Sequence, residues 1–170
     1  KDGTLTAVQI ALYTDAGCII ETSFGDTDMA LLWVDNCYNC SVWDLSTNVM
    51  HTTTPSNTAM RAPGVVQSTF VMETVMEHLA SASGLTPEAI RAANFYKVAD
   101  KTPYAQAIRQ VTIKTVWEQL QDSVGYPAMQ ADCAAYNKAN RWRKRGAAII
   151  PIKYGLGTAG TVGQVLMTIY

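Results

Sequence analysis

Residues 65–83 limit what this chain can fold into more than any other stretch. Val65, Met72, Val75, Met76, Leu79 and Ala80 recur at helical spacing, with Val71 at the edge, while Gln67, Thr74 and His78 fall opposite. Pro63-Gly64 precedes the run and Gly84 follows it as a C′ residue. One long amphipathic helix must therefore lie here, with an apolar face that other elements have to cover. Glu73 and Glu77 flank the stripe. Like charges four residues apart repel weakly, and a solvated face is the plainer reading for them than a paired-carboxylate site.

The approach to that helix is a loop over 54–64 with turn chemistry at both ends, Pro55-Ser56-Asn57 and Pro63-Gly64. Arg61 stands just before the helix N-terminus. Free amides at such a terminus, with a guanidinium nearby, suit an anionic or electron-rich ligand. From the residues alone, an ordinary turn with its Arg in solvent is the simpler alternative.

Upstream, the β-branched and alternating residues of 4–13 predict a strand after the Asp2-Gly3 turn, with 14–17 as a loop. Asp26 or Thr27 is the expected cap of a helix over about 27–35, with Met29, Leu32 and Trp33 on one face and Asp35 at its end. Residues 41–53 predict a second strand, with a hydrogen-bonded or exposed His51 near its end. Downstream, Thr86 as N-cap and Pro87 at N1 start a helix that runs to about Asn94. A polar connection over 97–110 follows and divides the chain into 1–98 and 99–170. A helix over 112–123 carries Ile113, Val116, Trp117 and Leu120, and another over 127–140 carries Met129, Cys133 and Tyr136. Residues 146–154 predict a buried strand, and 165–170 a further strand. The spelling Gly155-Leu-Gly157-Thr-Ala-Gly160 matches GxGxxG, but a strand follows it where a dinucleotide fold needs a helix. The predicted class is mixed α/β (α+β), incomplete at its last sheet.

Composition narrows the function. Hydrophobic residues make up 48% and charged residues 16%, which describes a globular chain with a sizeable core. A net charge of −1 gives no global attraction for nucleic acid or anionic lipid, so neither is an expected partner. The basic run Arg141-Trp142-Arg143-Lys144-Arg145 reads as a solvated helix end rather than a phosphate patch. No apolar run approaches the ~20 residues that span a bilayer. Cys37 and Cys40 form one CxxC-type pair without the second pair a zinc ribbon needs; together with Cys18 and Cys133 they read as free thiols in a reducing compartment. The opening Lys1-Asp2-Gly3-Thr4 lacks an initiator Met and an apolar leader, which suggests an excised internal piece.

Several segments, in order, carry a resemblance. Pro55-Ser56-Asn57-Thr58-Ala59-Met60-Arg61-Ala62-Pro63-Gly64 resembles the "SNTA-aromatic-R-G-F-G" loop of the xanthine dehydrogenase and aldehyde oxidase family, and its Arg-Ala-Pro-Gly form looks like the aldehyde oxidase branch. Val34-Asp35-Asn36-Cys37-Tyr38, Met76-Glu77-His78-Leu79-Ala80 with Gly84 to Glu88, Arg91 to Asn94, and Trp142 to Gly155 resemble further family segments. The resemblance implies an internal fragment of the molybdopterin-binding domain of a molybdenum hydroxylase: 1–98 the end of that domain's first half, 99–170 the start of its second. Such an enzyme oxidises aldehydes or aromatic heterocycles with water as the oxygen source. It carries a molybdenum–molybdopterin cofactor, FAD and two [2Fe–2S] clusters, and works as a cytoplasmic homodimer.

Carried over by position, the resemblance places the backbone amide of Arg61 at the molybdenum centre, with Ala59 beside the cofactor. Pro63 and Met29 replace a stacking Phe and a purine-gripping Arg of xanthine-acting members. Both changes point to an aldehyde or apolar heteroaromatic substrate. Thr158 and Ala159 fall near the other substrate-stacking pair. The resemblance puts the general-base glutamate, the clusters and the flavin site outside this chain. A xanthine dehydrogenase with an altered pocket, and a stand-alone non-catalytic module of the same fold, are the competing readings. Because only one of several cofactor loops is present, the isolated 170 residues are expected to bind no stoichiometric molybdenum and to turn over no aldehyde; metal analysis of the purified chain checks this.

Overall fold

A computed structural model describes residues 2–154. The chain runs β1 (Val8–Gly17), α1 (Ser23–Trp33), β2 (Trp43–His51), α2 (Val65–Ser83), α3 (Pro87–Asn94), α4 (Ile113–Val124) and α5 (Tyr126–Ala139). β1 and β2 form a parallel pair, in register from Val8 opposite Trp43 to Asp15 opposite Met50, with a bulge before Gly17 meets His51. Parallel neighbours need a crossover, and α1 supplies it. α2 packs against both α1 and α3. The mixed α/β class is as expected, and no helix among the described residues is long and apolar enough to cross a membrane.

α2 has the expected ends, and Gly84 closes it at φ 75° with its amide donating to the Ala80 carbonyl. Thr86 caps α3 by accepting from the Ala89 amide at 3.2 Å. The apolar core joins Met72 and Met76 of α2 to Leu5, Val8, Ile90, Trp117 and Ile149. Phe95 stacks on Tyr38 with ring centroids 6.0 Å apart and meets Trp117 edge-on at 5.3 Å.

Several expectations need correction. Glu73 is not on a solvated face: it is buried beneath Arg91 of α3, whose Nε donates to its carboxylate at 2.7 Å. Tyr38 Oη and Asn36 Nδ2 also donate to Glu73, at 2.6 and 2.8 Å. Glu77 takes the Arg91 Nη2 at 2.6 Å from a half-exposed position. The helix stripe is therefore wider than its apolar residues, and Leu79 at its far edge is exposed. The first strand lies at 8–17 rather than 4–13, because 14–17 continues the ladder with β2 instead of looping out. α1 begins at Ser23, so Asp26 and Thr27 lie inside it and neither caps it; it ends at Trp33, before Asp35.

Among the described residues, 146–154 pairs with no strand. Its side chains alternate, with Ile149 and Pro151 buried and Ile150 and Ile152 exposed. In place of a ladder it has side chains: Tyr126 Oη donates to the Ala147 carbonyl at 3.1 Å, Asn36 Nδ2 donates to the Pro151 carbonyl at 2.9 Å, and the Lys153 amide donates to Asn36 Oδ1 at 3.0 Å. Asn36 adopts φ 46°, a left-handed conformation that Asn tolerates better than most residues. On α4 only Trp117 is buried; Val116 and Leu120 of the expected stripe face outward. The expected strand at 165–170 and the GxGxxG spelling lie outside the described residues.

Removing Arg91 would strand a buried carboxylate. Arg91→Met is expected to lower the unfolding free energy by about 3–5 kcal/mol, and Glu77→Gln, at the half-exposed end, by under about 1 kcal/mol. Urea denaturation followed by two probes checks both values.

Candidate functional site

Residues 55–64 cross from the end of β2 to the start of α2, and the rest of the βαβ unit holds them at both ends. At the entrance, Gly17 adopts φ 74° and lies so close that an added Cβ would sit 2.2 Å from the Pro55 carbonyl oxygen. Asn57 donates its amide to the Ala16 carbonyl at 3.0 Å and its Nδ2 to the Asp15 carbonyl at 2.9 Å. The Asp15 carboxylate accepts from Thr52 Oγ1 at 2.6 Å and from the Gly17 amide at 2.8 Å, and these bonds hold it below the usual carboxylate range.

At the exit, Gly64 adopts φ 73°, and a Cβ there would fall 2.1 Å from the Ala30 nitrogen and 2.5 Å from the Met29 carbonyl carbon. The loop backbone thus rests directly on α1. Two side chains reach out to it, that of Thr22, the residue before α1, and that of Asp26 in its first turn. Thr22 Oγ1 accepts from the Ala59 amide and lies 2.9 Å from Thr58 Oγ1. Asp26 Oδ1 accepts from the Gly64 amide at 3.0 Å, and Oδ2 from Gln67 Nε2 at 3.2 Å.

Between these ties stands an apex of Met60, Arg61, Ala62 and Pro63. Met60 and Arg61 are exposed. Ala62 is held at φ 62°, which costs a residue with a Cβ of the order of 1 kcal/mol or more and persists only where the surroundings impose it. Among the described residues, no acceptor takes the amide hydrogens of Met60, Arg61 or Ala62. The helix terminus is only in part the open anion site expected from the sequence: among the described residues the Val66 and Gln67 amides meet no acceptor, but the two before them are committed. The Gly64 amide goes to Asp26 and the Val65 amide to the Ala62 carbonyl. The apex amides extend the open donors one step upstream of the helix terminus.

Met29 and Pro63 are brought to one place, on either side of the Gly64–α1 contact. Ala59 is adjacent, but its amide is committed to Thr22. Ala159 and Thr158 lie outside the described residues. Thr22 and Asp26 were legible as polar residues near a helix start, but not as acceptors for a different segment. Two clefts, of about 440 and about 340 Å³, lie elsewhere: one between α2 and Ile150–Ile152, the other beside Cys37, Tyr96 and Lys153. Next to the second, Asp35 takes hydrogen bonds from Tyr96 Oη and Lys153 Nζ. Burial pushes the Asp35 carboxyl up, and Lys153 offsets part of that. Burial likewise pushes the Cys37 thiol up to about 12, which makes it a packed thiol and not a nucleophile.

Residues 1–95 match the family described as the molybdopterin cofactor-binding domain. The chain is 35% identical to aldehyde oxidase 1 of Oryctolagus cuniculus over 165 residues, 93% of this chain and 12% of that protein. It is also 35% identical to the xanthine dehydrogenase/oxidase of Gallus gallus over 156 residues, 92% of this chain and 12% of that protein. The chain belongs to the molybdenum hydroxylase family. Its backbone resembles the aldehyde oxidoreductase of Desulfovibrio gigas, with a TM-score of 0.72 and 25% identity over 79% of this chain and 15% of that one. The quinoline 2-oxidoreductase of Pseudomonas putida 86 shares the fold, with a TM-score of 0.68. The chain spans about 12% of the length of the curated relatives it matches.

The contact under Gly64 makes a clear contrast with Gly84, whose φ is similar but which has open space around it. Gly84→Ala is expected to cost about 1 kcal/mol from backbone strain alone, whereas Gly64→Ala adds a backbone collision and should cost at least about 3 kcal/mol. Comparing their denaturation midpoints checks the difference.

Proposed function

We propose that this chain forms one wall of the molybdenum–molybdopterin site of an enzyme that oxidises aldehydes or aromatic heterocycles, a substrate class in line with an aldehyde oxidase rather than a purine hydroxylase. The observation that carries this reading is the loop apex: three amides without a protein acceptor among the described residues, beside a left-handed Ala62, in a family whose members bind this cofactor. That arrangement suits an electron-rich group approached through backbone. When bound, the cofactor supplies a two-electron oxidation that inserts an oxygen from water into a C–H bond, with FAD and two [2Fe–2S] clusters carried outside this chain.

The chain's own residues do three things in this reading. The Arg61 amide presents a fixed donor to the cofactor, and Ala59 holds the preceding turn through its bond to Thr22. Pro63 gives the substrate a rigid wall that cannot stack as an aromatic ring does. Met29 adds an apolar, polarisable wall with no donor for a purine oxygen. The resemblance also assigns Ala159 to substrate contact; it lies outside the described residues. Neither Glu73 nor Glu77 is available as a general base: Glu73 is saturated by Arg91, Tyr38 and Asn36, and Glu77 is tied to Arg91. The base belongs to another part of the full-length protein.

In the same reading, 1–98 ends the first half of the cofactor-binding domain and 99–170 starts the second; the family match ending at residue 95 and the helix-free stretch after α3 support that division. The full-length protein is a cytoplasmic homodimer, and exposed free Cys18 suits a reducing compartment. Equal identity to a xanthine dehydrogenase/oxidase supports a second reading, a purine hydroxylase with an altered pocket. In the full-length enzyme, aldehydes should turn over while xanthine is inert, and Met29→Arg should depress aldehyde kcat/KM by about tenfold or more. Efficient xanthine oxidation, unchanged by Met29→Ala, would overturn the substrate assignment.

A further inference from the structure

Asp26 and Met29 are three residues apart on α1 and so share one of its faces, and Thr22, the residue before the helix, stands four residues ahead of Asp26 in line with that face. All three meet the site loop, at successive points. Thr22 holds Ala59, Asp26 holds Gly64, and the Met29–Ala30 backbone lies under Gly64. Thr22 is the residue before α1, yet it makes no capping bond to its own helix. Asp26, in the first turn, spends both carboxylate oxygens on Gly64 and Gln67 of the neighbouring segment. Their two ties bracket Met60–Pro63, the stretch in which the Met60, Arg61 and Ala62 amides are left open among the described residues.

We propose that Asp26, seconded by Thr22, is a positioning residue: it fixes the separation between the open Arg61 amide and the Met29 side chain, and so sets which substrate sizes the site admits. This rests on the functional reading above. The chemistry needs an acceptor at Asp26 Oδ1, and a neutral acceptor serves. Asparagine keeps that oxygen for the Gly64 amide, and Gln67 can turn its own amide to match the new Nδ2. Alanine keeps neither bond, and the loop exit is then held only by packing on α1.

The test uses the molybdenum-loaded, full-length enzyme. Hydrogen exchange of peptides covering 59–67 reads the tie directly, and KM and kcat for a small and a bulky aldehyde read its consequence. In Asp26→Ala the Gly64 amide should exchange at least about tenfold faster, the loss expected for a hydrogen bond to a charged acceptor. KM for the bulky aldehyde should change at least about threefold while kcat and molybdenum content stay within about twofold. Asp26→Asn should restore both readouts. Unchanged Gly64 exchange in Asp26→Ala, or an Asn variant as impaired as the Ala variant, overturns the proposal. If Asp26→Ala yields no folded enzyme, Thr22→Val must speed Ala59 exchange and shift KM in the same way, and its failure to do so overturns the proposal too. A wild-type enzyme that oxidises no aldehyde removes the functional reading, while the exchange measurements still decide the tie.

Discussion

The structure depends on one buried carboxylate. Glu73, in the middle of α2, accepts from Arg91 of α3 and from Tyr38 and Asn36 of the turn after α1. A carboxylate taken out of water is costly unless every lone pair finds a donor, and here three donors converge on it. Because the donors come from two segments, the turn after α1 and α3, the cost of burying the charge becomes a demand that both meet α2 in one geometry. Apolar packing around Met72 and Met76 would favour burial but not a unique arrangement. Burial and the adjacent Glu73 charge hold the Tyr38 hydroxyl well above its ordinary range, so it remains a donor at any physiological pH.

The candidate site inherits its rigidity from this centre. α2 is fixed by Glu73 and Arg91, and α1 packs on α2 at the Gly64 contact. The loop between β2 and α2 is therefore anchored at both ends on packed elements. A segment with exposed Met60 and Arg61 would otherwise be free to fray. Instead Asn57, Ala59 and Gly64 are each tied by hydrogen bonds, and Ala62 is left in a conformation that a loose loop would relax.

Local patterns carried much of this into the sequence. The limits of α2, the Gly84 end and the Thr86–Pro87 start were readable because helix punctuation is short-range chemistry. The loop and its ordered motifs were readable as a family pattern. Pairings across the chain were not. Glu73 looked solvated because its partner Arg91 is eighteen residues away on another helix. Residues 14–17 looked like a loop because Thr-Asp-Ala-Gly is turn chemistry, and only the ladder with β2 overrides it. Residues 146–154 had a strand's composition and took a strand's alternation, but the side chains of Asn36 and Tyr126 supply their hydrogen bonds and no strand does so among the described residues. Asp26 was visible as a cap, but for α2 rather than for its own helix.

Asn36 also sets an order of assembly. Its bond to Glu73 spans 37 residues, whereas its bond to the Pro151 carbonyl spans 115. Closing the longer loop costs more chain entropy, and on a ribosome the distant partner does not yet exist when the near one does. The Glu73 cluster can assemble as soon as α3 has been made, leaving the second face of the Asn36 amide hydrated until the Ile149–Lys153 segment arrives. That segment docks onto a side chain already in place, as the last stitch in a core begun more than a hundred residues earlier.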